Sequence, residues 1–198
     1  MVRFAFILLS AFAVPVAHAG EFNKVLSIGD AAPAWDALDG TDGKPHALAD
    51  LKNKKAVVVL FTCNSCPVAA GYEDRVIAFA KKHAADVAVV AINVNTAPAD
   101  RLPAMTERAA KKKFPFAYLS DPSQAIARKY GAVYTPEFFV LDQGRKVAYM
   151  GAMDDKSPPA AATATHLEDA VAAVLAGKTP AAGETRARGC RIKFDAGK

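Results

Sequence analysis

Cys63 and Cys66 stand three positions apart in the stretch Cys63-Asn64-Ser65-Cys66. A disulfide across so short a loop removes little chain entropy, so it would be a weak staple. As chemistry, the spacing suits thiol–disulfide exchange: one thiolate attacks a client disulfide and the second sulfur resolves the mixed disulfide. Zinc uses the same spacing but requires two further ligands. No second Cys-x-x-Cys occurs, Cys190 is single, and His46, His83 and His166 show no ligand spacing. The sequence therefore predicts a redox pair, with no metal site and no cofactor.

An exchange-active thiol must ionise near neutral pH, although free cysteine has a pKa of about 8.5. A helix N-terminus lowers that value, because its unpaired N–H groups and positive dipole end favour an anion. The chain supplies the elements for such a placement. Ala56 to Thr62 is a continuous apolar, β-branched run of the kind that fills a central strand covered on both faces. From Pro67 the period changes, and Val68, Tyr72, Val76 and Phe79 recur at helical spacing. A first-turn proline fits there. Cys63 then falls at the strand end and Cys66 within the first helical turn. On this reading Cys63 is the outer, attacking sulfur and Cys66 the resolving one.

Around this unit the elements follow an α/β order. A turn-rich spacer, residues 39–43, separates Trp35–Leu38 from Lys44–Leu48 and predicts an N-terminal hairpin. A second buried strand is expected over Val87–Val94, then a helix capped by Asp100 and running to about Lys112. A short strand at Phe116–Leu119 precedes a helix with Asp121 as cap, Pro122 at its start and Gly131 at its end. Phe138–Leu141 and Lys146–Met150 read as strands joined at residues 142–144. The last helix opens on a capping box, Thr165 with Glu168, and stops at Gly177. This pattern predicts a central mixed sheet flanked by helices, in one domain over residues 20–179. Residues 180–198 form a Gly/Ala/Arg-rich tail that carries Cys190.

The chain opens with Arg3, an apolar run from Phe4 to Val16, and Ala17-His18-Ala19. That is the pattern of a signal peptide cleaved before Gly20. The apolar run falls short of the roughly 20 residues a membrane span needs, so no stable anchor is expected after cleavage. A periplasmic or secreted location follows as an expectation. The formal charge is +5, and removing residues 1–19, with Arg3 as their one charged residue, leaves +4. The excess is spread out. Even Lys111-Lys112-Lys113 reads as a solvated helix end, so no nucleic-acid partner is expected.

The strand running into Cys63-Asn64-Ser65-Cys66-Pro67, the helix behind it and Thr135-Pro136 before the late hairpin resemble the thioredoxin-like redoxins. More narrowly, the chain resembles exported members of the alkyl hydroperoxide reductase/thiol-specific antioxidant superfamily. Phe61-Thr62-Cys63-Asn64, Cys66-Pro67-Val68-Ala69, Tyr72-Glu73-Asp74-Arg75 and Gly189-Cys190-Arg191-Ile192-Lys193 carry that resemblance, which spans about residues 26–194. It implies a thiol–disulfide oxidoreductase acting on exported disulfide-containing proteins, with a membrane electron donor. It also implies a cis Thr135–Pro136 bond facing the sulfurs, with a client strand docking against that loop.

The departures from the family pattern are specific. Thr62 stands where thioredoxins carry tryptophan, and Val57 where they carry a buried aspartate, so no acid occupies the proton acceptor's place. Glu73, two turns into the helix, is a long-range substitute or else a salt-bridged residue. Asn64-Ser65 lacks the histidine of strongly oxidising members, which leaves the direction of electron flow open. The peroxidase motif Pro-x-x-x-Thr-x-x-Cys is absent: counting back from Cys63 gives Leu60 and Ala56, and from Cys66 gives Cys63 and Val59. A peroxiredoxin-like peroxidase and a copper carrier using the reduced pair are the alternatives; copper relatives space their cysteines one residue wider. Cys190 reads either as a small apolar residue docking the tail or as a third redox thiol. Arg186, Arg188, Arg191 and Lys193 beside it are expected to favour its ionisation. Asn64, Glu73 and Cys190 are thus accessory candidates.

Overall fold

The computed structural model describes residues 20–156 and 162–196. The leader read over residues 1–19 lies outside the described residues. Nine strands and four α-helices follow in the order β1 (Leu38–Gly40), β2 (Pro45–His46), β3 (Ala56–Thr62), α1 (Pro67–His83), β4 (Val87–Asn93), α2 (Leu102–Lys112), β5 (Ala117–Ser120), α3 (Ala125–Tyr130), β6 (Tyr134–Thr135), β7 (Glu137–Leu141), β8 (Val147–Gly151), α4 (His166–Leu175) and β9 (Cys190–Arg191). Seven strands form one mixed sheet in the order β2-β1-β5-β4-β3-β7-β8. The β3–β4 and β4–β5 pairs are parallel, and β3–β7 and β7–β8 are antiparallel. The fold is thioredoxin-like, as the element order predicts.

The core divides by strand parity, as alternating side chains require. Val57, Val59 and Phe61 of β3 face one layer with Ile126 and Tyr130 of α3. Val58 and Leu60 face the other, with Tyr72, Val76 and Phe79 of α1, Met105 of α2 and Val171 of α4. Because β3 is covered on both faces, six of its seven residues are buried. Full burial of each such valine or leucine stabilises the fold by roughly 1.5–3 kcal/mol. That packing makes β3 a rigid support for the loop at its end.

Three expected helix starts differ in detail. Asp100 lies in a 3-10 turn, Pro98–Asp100, and Arg101 takes the N-cap position of α2 without a side-chain bond. Helix α3 begins at Ala125 rather than Pro122, because Gln124 adopts a left-handed conformation. Asp121 still serves the helix: its carboxylate accepts the Ile126 N–H. The capping box of α4 is not formed, since Thr165 bonds to Asp169 and Glu168 turns to Lys82 and His83.

The stretch from residue 180, set apart in the sequence as a tail, packs along the domain. Thr185 N–H donates to Met150 O and Met150 N–H donates to Gly183 O, which covers the open edge of β8. Gly151 there has φ +136°, and a side chain would strike the Thr185 carbonyl. Farther on, β9 pairs antiparallel with β6. Gln124, fully buried, closes the arrangement: its Nε2 donates to Val94 O and Lys193 O, and its Oε1 accepts the Asp195 N–H. Arg128 also donates to Asp195 O and stacks on Phe194. Ala187 and Ile192 are buried.

Gln124→Leu would leave the Val94 carbonyl, just after β4, and backbone groups of the tail without partners. Each unsatisfied group costs about 1–3 kcal/mol. The expected result is a lower urea midpoint and faster amide exchange over residues 190–195, with β3 exchange moved only by the global loss.

Candidate active site

The loop between β3 and α1 holds both sulfurs below the surface: Cys63 is 3% and Cys66 1% exposed. Pro67 occupies the first position of α1 and Cys66 is the N-cap, with φ −88° and ψ 114°. A proline disfavours the helical region for the residue before it, so the helix cannot start earlier. Cys66 was expected within the first turn; it instead sits directly ahead of it. Its sulfur accepts the Ala69 N–H at 3.3 Å. The helix N-terminus thus serves Cys66, not Cys63.

This placement separates the two thiols electrostatically. At Cys63, burial pushes the pKa up, and the nearby Asp100 carboxylate and Cys66 add to it; hydrogen bonds with Thr135 and Ser65 oppose it without reversing it. At Cys66, burial also disfavours the anion, but hydrogen bonds from the Cys190 thiol and the Ala69 N–H outweigh it, and the pKa falls. Cys63 was expected to be the readily ionised, outer sulfur; it is marginally the more exposed of the two, but the donors that favour an anion gather at Cys66. Cys66 is the better-supported thiolate.

Thr135 and Pro136 face the pair as the resemblance implies, and the Thr135–Pro136 bond is cis. The Thr135 hydroxyl lies 3.4 Å from the Cys63 sulfur, and the Thr135 carbonyl oxygen lies 3.1 Å from the Cys66 sulfur, within reach of its proton when Cys66 is a thiol. The strand edge expected to receive a client is paired with the chain's own β9, in the register Thr135↔Cys190 and Tyr134↔Arg191. That pairing brings the Cys190 sulfur to 2.7 Å from Cys66. Cys63, Ser65, Cys66 and Cys190 share a cavity of about 590 Å³ with Asn95, Thr96, Arg191 and Lys193.

Asn64 is a structural clip: its side-chain amide donates to Ala99 O and its carbonyl oxygen accepts from the Tyr118 hydroxyl. Glu73 is committed away from the sulfurs, paired with Arg108 and Lys112 of α2. Its carboxylate resolves as a salt-bridged group rather than a proton acceptor at the cysteines. Three of the four basic residues beside Cys190 are engaged with other groups. Arg186 lies over Phe22, Arg188 donates to Asp155 O, and Arg191 stacks on Tyr134. The Cys190 thiol is accordingly pushed up, to about 11, by its hydrogen bond to Cys66, by burial and by the neighbouring sulfurs. Among the described residues, no group of three or more His, Cys, Asp or Glu side chains is arranged to hold a metal ion.

Two positioning residues escaped the sequence reading. Asp100 is 1% exposed. One of its oxygens accepts the Asn64 and Ser65 N–H groups and the other the Ser65 hydroxyl. It looked like an ordinary N-cap; an acid beside the Pro98 turn was the one available signal. Glu137, directly after Pro136, accepts the Val133 and Tyr134 N–H groups at 2.8 and 2.9 Å. It so fixes the turn that presents Thr135. An acid entering an otherwise apolar strand was legible as an anomaly.

The Redoxin family model matches residues 27–167. The chain belongs to the Redoxin family. A hypothetical protein from Sinorhizobium meliloti 1021 is 35% identical, with 87% of this chain and 97% of that one covered and a TM-score of 0.81. An uncharacterized conserved protein from Geobacillus kaustophilus is 32% identical, with 87% and 94% covered and a TM-score of 0.81. A putative thiol:disulfide interchange protein DsbE from Chlorobium tepidum is 25% identical, with 76% and 99% covered and a TM-score of 0.59. No curated protein matches the chain. Family and neighbours together make thiol redox chemistry the class of function, and the protein an oxidoreductase.

Burial pushes the Glu137 carboxyl up to about 7, against the two backbone N–H groups that pull it down. A group with a raised folded-state pKa stabilises the fold below its unfolded value, and loses that contribution as pH rises through the folded one. Stability measured by urea titration should therefore fall as pH rises from the ordinary glutamate range to about 7. Glu137→Gln should flatten this slope; an unchanged slope would assign it to other groups.

Proposed function

We propose that this protein exchanges disulfides with exported proteins through Cys63 and Cys66. The observation that supports this most directly is the seating of two thiols of opposite acidity in one loop, facing the cis Thr135–Pro136 bond. The Cys66 thiolate attacks a sulfur of the client disulfide, the client's other sulfur leaves, and a mixed disulfide forms. Cys63, held beside Cys66 by the Thr135 and Ser65 hydroxyls, is placed to resolve it. A membrane-bound dithiol donor then returns the pair to the reduced state. The peroxidase and copper-carrier readings gain no specific support from the site.

Insulin reduction with dithiothreitol as electron source should be accelerated by the full mature chain, and Cys66→Ser should abolish the effect. Limiting iodoacetamide should modify Cys66 before Cys63, and the Cys66 rate, which rises with pH, should reach its plateau at a lower pH than that of Cys63. The reverse order would return the attacking role to Cys63.

Export is part of the same proposal, and a local feature supports cleavage before Gly20. The Glu184 carboxylate accepts the Phe22 and Asn23 N–H groups, and it lies so close to Gly20 that a side chain there would strike it. An α-ammonium created at Gly20 would meet that carboxylate. Mass spectrometry of protein from its native host should find a chain beginning at Gly20; an intact Met1 would overturn processing.

A further inference from the structure

We propose that Cys190 is a third redox thiol, which protonates the first leaving group and then resolves the mixed disulfide on Cys66 to form a Cys66–Cys190 disulfide. This rests on the Cys66 attack proposed above and, while β9 is docked, transfers the resolving step given there to Cys63 to a residue from the far end of the chain.

Three observations carry it. The first is contact: the Cys190 sulfur lies 2.7 Å from that of Cys66, and the hydrogen bond between them pulls the Cys66 thiol down and pushes the Cys190 thiol up. The second is placement by backbone. The β6–β9 register sets Cys190 opposite Thr135, and the Thr135 hydroxyl lies 3.4 Å from the Cys190 carbonyl. Gly189 allows this approach, because a side chain there would collide with the Thr135 carbonyl. The third is anchorage on both sides of the thiol. Upstream, Thr185 is bound to β8; downstream, Ile192 N–H donates to Val133 O and Gln124 clamps Lys193 and Asp195. A free tail would lose conformational entropy each time it reached the site. This tail is already ordered there.

The chemistry balances without an added oxidant. The Cys66 thiolate attacks a disulfide R–S–S–R; one S–S bond breaks as Cys66–S–S–R forms, and R–S⁻ departs. Cys190 gives its proton to that thiolate and becomes a thiolate in contact with the Cys66 sulfur. It attacks, the Cys66–S–S–R bond breaks, and the second R–S⁻ leaves to take a proton from solvent. The protein has lost two electrons as the Cys66–Cys190 disulfide, and the small disulfide has become two thiols. Cys63 remains reduced. Its raised pKa fits a sulfur held in reserve while Cys190 is docked. Return to the reduced state uses the same class of dithiol donor as above.

The test uses the full mature chain, fully reduced and then treated with one equivalent of 2-hydroxyethyl disulfide. After quenching with N-ethylmaleimide, trypsin places Cys63 and Cys66 on the peptide 56–75 and Cys190 on the peptide 189–191. The expected product is a cross-linked pair of these peptides, with the maleimide on Cys63. A closed Cys63–Cys66 disulfide with maleimide on Cys190 at every time point overturns the relay and leaves the exchange function standing. No disulfide in any peptide overturns both. As an independent measure, Cys190→Ser should accumulate a 2-hydroxyethanethiol adduct on Cys66 and slow turnover tenfold or more. Wild-type turnover without the adduct would reduce Cys190 to packing.

Discussion

The arrangement of the site depends on one residue's backbone and side chain together. Thr135 touches all three cysteines: its hydroxyl meets Cys63, its carbonyl lies against Cys66, and its strand pairing brings in Cys190. Those contacts come from two distant chain segments, the β3–α1 loop and β9, so the geometry holds only if Thr135 is itself immobile. Two features ensure that. Glu137 binds the N–H groups on the other side of the cis bond, and β7 behind it is hydrogen-bonded along five residues of β3. Rigidity at the central strand is thereby transmitted to the sulfurs.

Burial by itself would raise every thiol, since it penalises the charged form. What distinguishes the three is the supply of donors. Cys66 receives an N–H from the first turn of α1 and a thiol from Cys190. Cys63 has hydroxyl partners alone and lies near the Asp100 carboxylate. A single proline decides this division. With Pro67 at the helix start, the capping position falls on the second cysteine, and the dipole's positive end points at that sulfur.

The elements whose formation is local or periodic were legible in the sequence. Strand β3 runs over the residues of its apolar stretch, and α1 starts at the expected proline with its stripe buried. The consequence of Pro67 for Cys66 was legible too, because the restriction on the preceding residue is a local rule, but the expected helix start ignored it. What was not legible joins distant residues. Asp100 bonds to a loop some 35 positions earlier, Gln124 to a tail about 70 positions later, and Thr135 to Cys190 over 55. No periodicity encodes such partners. A buried polar side chain states that it needs one, not which.

The docked tail occupies the edge that a client strand would use in the proposed function. A client strand and β9 cannot both use the Tyr134–Thr135 edge, and β9 joins it by only a two-residue ladder. So short a ladder contributes little by itself; Gln124, Arg128 and the buried Ile192 and Ala187 hold it from outside the site. Access is therefore set by contacts that never touch a sulfur. In the proposed function, the cavity of about 590 Å³ leaves room for a small disulfide with β9 in place, whereas a protein strand that needs the edge would first have to compete with a segment already tethered to the same molecule. Tethering keeps β9 at a high effective concentration, and a free client must exceed it or bind more tightly. On the proposed relay, the sulfur that β9 carries, 2.7 Å from that of Cys66, resolves a disulfide there for as long as β9 stays in place.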